Sequence, residues 1–299
     1  MIHYDPHNWL DHFFDVRGSL VKEIGVRVAV CGLWAAAVVL CHKRVAPIGI
    51  SSLLHTLVGT ALGLLLVIRT NSSYDRYWEG RKLWGGIVNE CRNLIRSARI
   101  HLSADPELLF RLSRWTAVFP FTARNLLRGQ VGLGPVQNDL DPAAALAVAG
   151  APHPPLQVAL EMTACLKDAQ KHGLISDYVL VMLDQNIQQL VDFLGGCERI
   201  RKTPLPFAYV VHLRRLLVLY CFTLPFALVD TFGWGTIADT LLVSYTFFGI
   251  EEIGVEIEGP FGEDDNDLPL DAICEDIRRN VFTLAGMEKV ERETLPEGL

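Results

Sequence analysis

No two of the seven cysteines are spaced as CxxC; Cys31, Cys41, Cys91, Cys165, Cys197, Cys221 and Cys274 are scattered and odd in number. That excludes a zinc site or a disulfide framework written in the spacing and leaves reduced, mostly buried thiols. Catalytic signatures are absent too. HExxH, GxSxG and Walker A patterns do not occur, and the nine histidines are dispersed without ligand spacing, so no enzyme class is indicated. Charge is sparse: a fifth of the 299 residues are charged while half are hydrophobic, a balance that suits a membrane protein with a sizeable polar part. No stretch offers a basic face, and with a formal charge of −7 nucleic acid is not expected as a partner. The opening "MIHYDPHNWLDHFFDV" lacks the basic start and short apolar run of a signal peptide, so insertion is expected to rely on the first span.

What the chain does have is long apolar runs. Val26 to Cys41, flanked by Lys22 and Arg27 and by His42, Lys43 and Arg44, reads as a first span, and Ile48 to Ile68 reaches membrane length, measuring about 32 Å as a helix. Two more, Leu216 to Val229 and Thr236 to Ile250, are separated by "DTFGWG" and read as a hairpin of spans. Between the pairs, from Arg69 to Arg215, apolar residues recur at three-and-four spacing among Glu, Arg, Gln and Asp, as in "GGIVNECRNLIRSARIHL". This is the pattern of amphipathic helices in a bundle. The Gly-, Pro- and Ala-rich stretch from Gly129 to Pro155 reads as a surface loop. The expected fold is all-α with four spans and a large cytosolic helical bundle. Its segments are an N-terminal segment (1–25), two spans (26–68), a cytosolic helical domain (69–215), two further spans (216–250) and an acidic segment with a C-terminal tail (251–299).

A two-plus-two arrangement puts both termini and the middle segment on one side. Arg69, Arg76, Arg81, Lys82, Arg199, Arg201, Lys202, Arg214 and Arg215 lie beside span ends there, whereas "DTFGWG" carries no basic residue. That side is therefore expected to be cytoplasmic, and the protein multi-pass in the inner membrane, although His42, Lys43 and Arg44 dissent. His55, the ionisable residue inside the second span, reads better as a packing residue than as a group at an outer mouth.

Directly after the second run comes "RTNSSYDRYWEGRKLWG", and this block resembles the bestrophin family, particularly its bacterial members. "GCERIRKTPLPFAYVVHLRR" and "EGPFGEDDNDLPLDAI" agree with the same family in order and spacing. The resemblance implies a homopentameric ion channel in the lipid bilayer, the second span of each subunit lining a central pore and the cytosolic helices forming a vestibule. Thr60, Leu64 and Ile68, one helical stripe, match the family's hydrophobic neck, and Tyr178, after "ISD", matches its cytosolic aperture. Gly59 and Gly63 form a GxxxG pair suited to close helix packing. Arg69, Asp75, Arg76 and Glu79 are expected either to anchor the helix at the headgroups or to pair between subunits. Asp264 and Asp267 match the calcium-holding carboxylates of animal relatives, but Asn266 and Leu268 depart from that pattern, so the expected cofactor is calcium or none. For ion sign, five copies of a −7 chain form an acidic assembly, which favours monovalent cations. A chloride-conducting channel of the same architecture is the alternative, and a membrane-anchored helical adaptor or enzyme is the second.

Overall fold

The computed structural model describes residues 20–287; the first nineteen positions of the expected N-terminal segment and the tail from 288 lie outside them. Among the described residues every regular element is helical: α1 (Val21–Arg44), α2 (Ser52–His101), α3 (Pro106–Arg128), a 3-10 helix (Gly134–Asp139), α4 (Pro142–Ala149), α5 (Pro154–Lys171), α6 (Asp177–Lys202), α7 (Phe207–Phe232), α8 (Gly235–Glu256) and α9 (Leu270–Ala285). They form two compact units. Among the described residues, one gathers 20–78 with Thr203–Pro260 and Asp264–Asp267; the other comprises Glu79–Lys202, Phe261–Glu263 and 268–287.

The first unit holds α1, the start of α2, α7 and α8. α8 packs most extensively on α1, and then on α7. The helices α1, α2 and α7 are long and apolar enough to cross a membrane. α8, at 22 residues, has the length, but Asp239, Glu251 and Glu252 lower its apolarity. α7 begins at Phe207 instead of Leu216, because Pro206 ends the linker and "FAYVVHLRR" is already helical. The turn between α7 and α8 is correspondingly shorter than "DTFGWG": α7 continues to Phe232, and Gly233, with φ of 53°, reverses the chain.

In the second unit, caps and prolines set the boundaries. Asp105 accepts the Leu108 N–H ahead of Pro106 to start α3, which stops at Gly129 in the left-handed conformation. The stretch from Gly129 to Pro155 is not a bare loop: Asp141 accepts the N–H groups of Ala143 and Ala144 and, with Pro142 in the first turn, launches α4. Proline there is a helix-start signal as well as a breaker. Leu94, Ile95, Leu112, Phe119, Leu166, Leu190 and Ile277 are among its fully buried side chains.

Candidate functional site

α2 is apolar on every side up to Ile68, yet only one of its faces is packed. Leu62 and Leu66 are buried in one cluster with Ile24 of α1, Leu213, Leu217 and Cys221 of α7 and Phe248 of α8. His55 starts this face, its ring stacked on Tyr220 at 4.6 Å and its Nε2 3.2 Å from the Tyr220 carbonyl; it is a packing residue. Gly59 follows, where a Cβ would stand 2.7 Å from the Tyr220 hydroxyl, so glycine lets α7 approach. Gly63 departs from the expected pair, for nothing lies within 4 Å of its Cβ position. Within the chain the two-glycine stripe reduces to Gly59.

Two residues along a helix turn the side chain by about 200°, so Thr60, Leu64 and Ile68 point away from that packing. Leu64 and Ile68 are 63% and 54% exposed. Thr60 is exposed as well, but its hydroxyl donates to the Thr56 carbonyl at 2.9 Å. The hydroxyl is thereby tied to the helix backbone, and the stripe is more apolar than its residue names suggest.

Where the apolar part of α2 ends, two of the four charged residues, Arg69 and Arg76, are engaged within the chain. Arg69 is 1% exposed and neither snorkels nor waits for another subunit: its Nη2 donates to Glu258 Oε2 at 3.0 Å. Glu258 Oε1 accepts the Leu205 N–H at 3.1 Å. Arg76 donates from Nε to the Glu258 carbonyl at 3.2 Å and from Nη1 to the Thr203 carbonyl. The physical reason is angular, since positions 62, 66, 69, 73 and 76 share the packed side. Asp75 and Glu79 are exposed, and the expectation of contacts outside the chain stays with them alone.

Sequence reading missed Glu258 as the partner of Arg69. It also missed a second ionic cluster, in which Arg27 Nη1 lies 2.6 Å from Glu252 Oε2 and Arg214 Nε 2.9 Å from Glu251 Oε1. The signal was available: carboxylates in an apolar helix need partners, and Arg27 and Arg214 sit at the starts of the two apolar runs packed on α8.

The acidic segment is built for a turn. Asp267 is buried; its Oδ2 accepts the Asp264 N–H at 2.9 Å, while its own N–H donates to the Asp264 carbonyl at 3.0 Å. Asp264 turns its side chain outward. Among the described residues no three His, Cys, Asp or Glu side chains converge as metal ligands, and one Asp267 oxygen is engaged by the loop's own backbone; a site of the kind the resemblance implies also draws on backbone carbonyls, so calcium stays an expectation. In the second unit Tyr178 stands in the first turn of α6, behind Ser176, whose hydroxyl accepts the Val179 N–H. It is 88% exposed, not packed into the bundle. Burial disfavours the thiolate there: it pushes Cys197 and Cys274 up to about 12 and raises Cys91 and Cys165 as well. All seven cysteines are free, as their spacing suggested.

A family model described as Bacterial/Fungal Bestrophin protein matches residues 1–283. Among curated proteins, the chain is 39% identical over 284 residues to the voltage-dependent anion channel-forming protein alr2987 of Nostoc sp., covering 94% of this chain and 92% of that protein. It is 32% identical over 299 residues to the voltage-dependent anion channel-forming protein YneE of Escherichia coli K12, covering 99% and 98%. Among solved structures, a bacterial bestrophin homologue from Klebsiella pneumoniae superposes with a TM-score of 0.84 at 30% identity, over 88% of this chain and 98% of that one.

Proposed function

The chain belongs to the bacterial and fungal bestrophin family, which makes it a membrane ion channel and not an enzyme, and from that premise we propose that it is a homopentamer conducting small anions along the exposed stripe of α2. The observation that carries this reading is the two-sidedness of α2: one face is fully packed within the chain, and the opposite face, Thr60, Leu64 and Ile68, is apolar and left open. Five such stripes around an axis make an uncharged neck. The adaptor or enzyme alternative has no constellation of groups to support it among the described residues.

Anion preference replaces the cation preference suggested by the total charge. Relatives carry anion-channel names, and the total misleads for a physical reason. Asp5, Asp11 and Asp15 against Arg17, with Glu288, Glu291, Glu293 and Glu297 against Lys289 and Arg292, place more than half of the −7 in the two chain ends. An apolar ring selects by local potential and dehydration, and total charge does not report that level. The reading also takes α8 as the fourth span and puts both termini on the cytoplasmic side of the inner membrane, where the basic residues flanking the spans cluster.

Purified protein in a planar bilayer under a potassium chloride gradient should reverse near the chloride equilibrium potential. Reversal near the potassium potential would return the sign to cations while leaving the channel reading intact. Tyr178 is proposed as a second narrow ring, from its exposure at the start of α6. Tyr178→Ala should change single-channel conductance or the permeability ratio among halides, by about twofold or more, a barrier change of roughly 0.4 kcal/mol. An unchanged current would remove Tyr178 from the conduction path.

A further inference from the structure

Between α1, α7 and α8 lies a cavity of about 200 Å³ lined by Arg27, Arg214, Leu217, Val218, Phe248 and Glu251. The channel reading does not use it. Its polar end is the cluster in which Arg27 meets Glu252 and Arg214 meets Glu251. The two glutamate side chains are 11% and 4% exposed, the two arginines 46% and 54%. Formal charges cancel, but they are separated in depth: the carboxylates are turned inward and the guanidinia form the outer pole. A guanidinium carries five N–H donors in a fork. Among the described residues Arg214 gives only its Nε to hydrogen bonding and Arg27 only its Nη1, so each retains donors for a further acceptor.

The apolar end follows directly. Leu217 and Val218 lie one helical turn beyond Arg214, and Phe248 one turn before Glu251, on the apolar side of both. Around them Val30, Val218, Leu219 and Phe222 are exposed, a surface that suits acyl chains. Arg27 and Arg214 each stand where an apolar run begins, the level at which lipid phosphates sit above hydrocarbon. An occupant therefore needs one negative, hydrogen-bond-accepting end and an apolar body continuing toward the membrane centre.

We propose that this cavity binds an anionic phospholipid, its phosphate held by Arg27 and Arg214 and the start of one acyl chain lying on Leu217, Val218 and Phe248. Glu251 and Glu252 act as positioning residues, fixing both forks from behind. A free inorganic anion would satisfy the guanidinia but leave the apolar wall uncovered, and a zwitterionic lipid would bring its own cation to the arginine pole. The site rests on the membrane-spanning reading of α1 and α7; it is independent of conduction.

The test is native mass spectrometry of the intact protein released from micelles containing equal phosphatidylglycerol and phosphatidylcholine, which needs no ion current. The parent should retain phosphatidylglycerol over phosphatidylcholine by at least about fivefold, as two interfacial arginines imply, and excess inorganic phosphate should not displace it. Arg27→Gln with Arg214→Gln should bring the two lipids to parity. Because that pair of changes leaves two buried glutamates unpaired, Val218→Trp is the companion: it fills the apolar wall, spares both ion pairs, and should lower the adduct about fivefold at unchanged oligomeric mass. Equal retention of both lipids, displacement by phosphate, no adduct on the parent because a neighbouring subunit covers the cavity, or a Val218→Trp protein that holds phosphatidylglycerol like the parent would each overturn the proposal.

Discussion

Replacing Leu64 with alanine should raise macroscopic current at matched protein density at least about tenfold, which asks for a barrier change of only about 1.4 kcal/mol. In the proposed pentamer five leucines at one level form an apolar ring that excludes water, and an ion stripped of hydration there finds no compensating ligand. Thr60 above does not wet the ring from its hydroxyl's donor side, since that hydrogen is engaged by Thr56. Ile68 below is followed by Arg69, but Arg69 is turned into the packed face and buried, so it lends no charge to the path. Leu64 is therefore the middle of a longer apolar stretch than the residue names imply. Assembly should survive the substitution, because Leu64 is 63% exposed and lies opposite the cluster that holds Leu62 and Leu66. Gel filtration would show an unchanged oligomer beside the raised current. A mutant of parental mass and parental current would move the gate to Thr60, Ile68 or Tyr178.

The parts of this molecule legible in sequence are those with a local cause. Apolar runs bounded by basic residues announced α1, α2 and α7, and "TPLPF" announced the break between α6 and α7, because a proline acts on the residue before it. The two-faced character of α2 was half legible: the 60–64–68 stripe follows from helical periodicity alone, but in a helix apolar all round nothing local says which side is covered. Gly59 and Gly63 are indistinguishable as letters and differ only because Tyr220 of α7 stands beside one of them. Arg69 is the sharpest case. Its neighbours in sequence suggested a headgroup anchor, while its partner Glu258, itself partly exposed, lies 189 residues away, and burial of the Arg69 guanidinium is a property of the packed unit. The acidic loop was legible only in part for a related reason: counting carboxylates says nothing about whether they face one another or, as Asp267 does, fold back onto the loop's own backbone.

That distant pair carries the largest expected effect on stability. Removing one partner of a buried ion pair typically costs about 3–5 kcal/mol, because the remaining charge is left without compensation. Arg69 is a severe instance: it is 1% exposed, and its Nε and Nη1 already make no hydrogen bond, so Glu258 is the acceptor on which its charge depends. Glu258→Ala also strips the Leu205 N–H of its acceptor at the entry to α7. Melting of the detergent-solubilised protein, followed by tryptophan fluorescence, should fall by about 10 °C or more. Glu258→Gln should fall less, since an amide oxygen can still accept from Leu205, and Asp192→Asn, a change to an exposed carboxylate of α6, should stay within about 0.5 kcal/mol of the parent. The discriminating variant is Arg69→Met with Glu258→Leu. Replacing both charges with apolar groups of similar volume removes the uncompensated guanidinium and should recover most of the loss. If Glu258→Ala instead melts with the parent, Arg69 is neutralised by something other than this carboxylate. If the double variant melts as low as Glu258→Ala, the cost arises from the lost Leu205 contact and the geometry of the linker into α7, not from a buried charge beneath the neck.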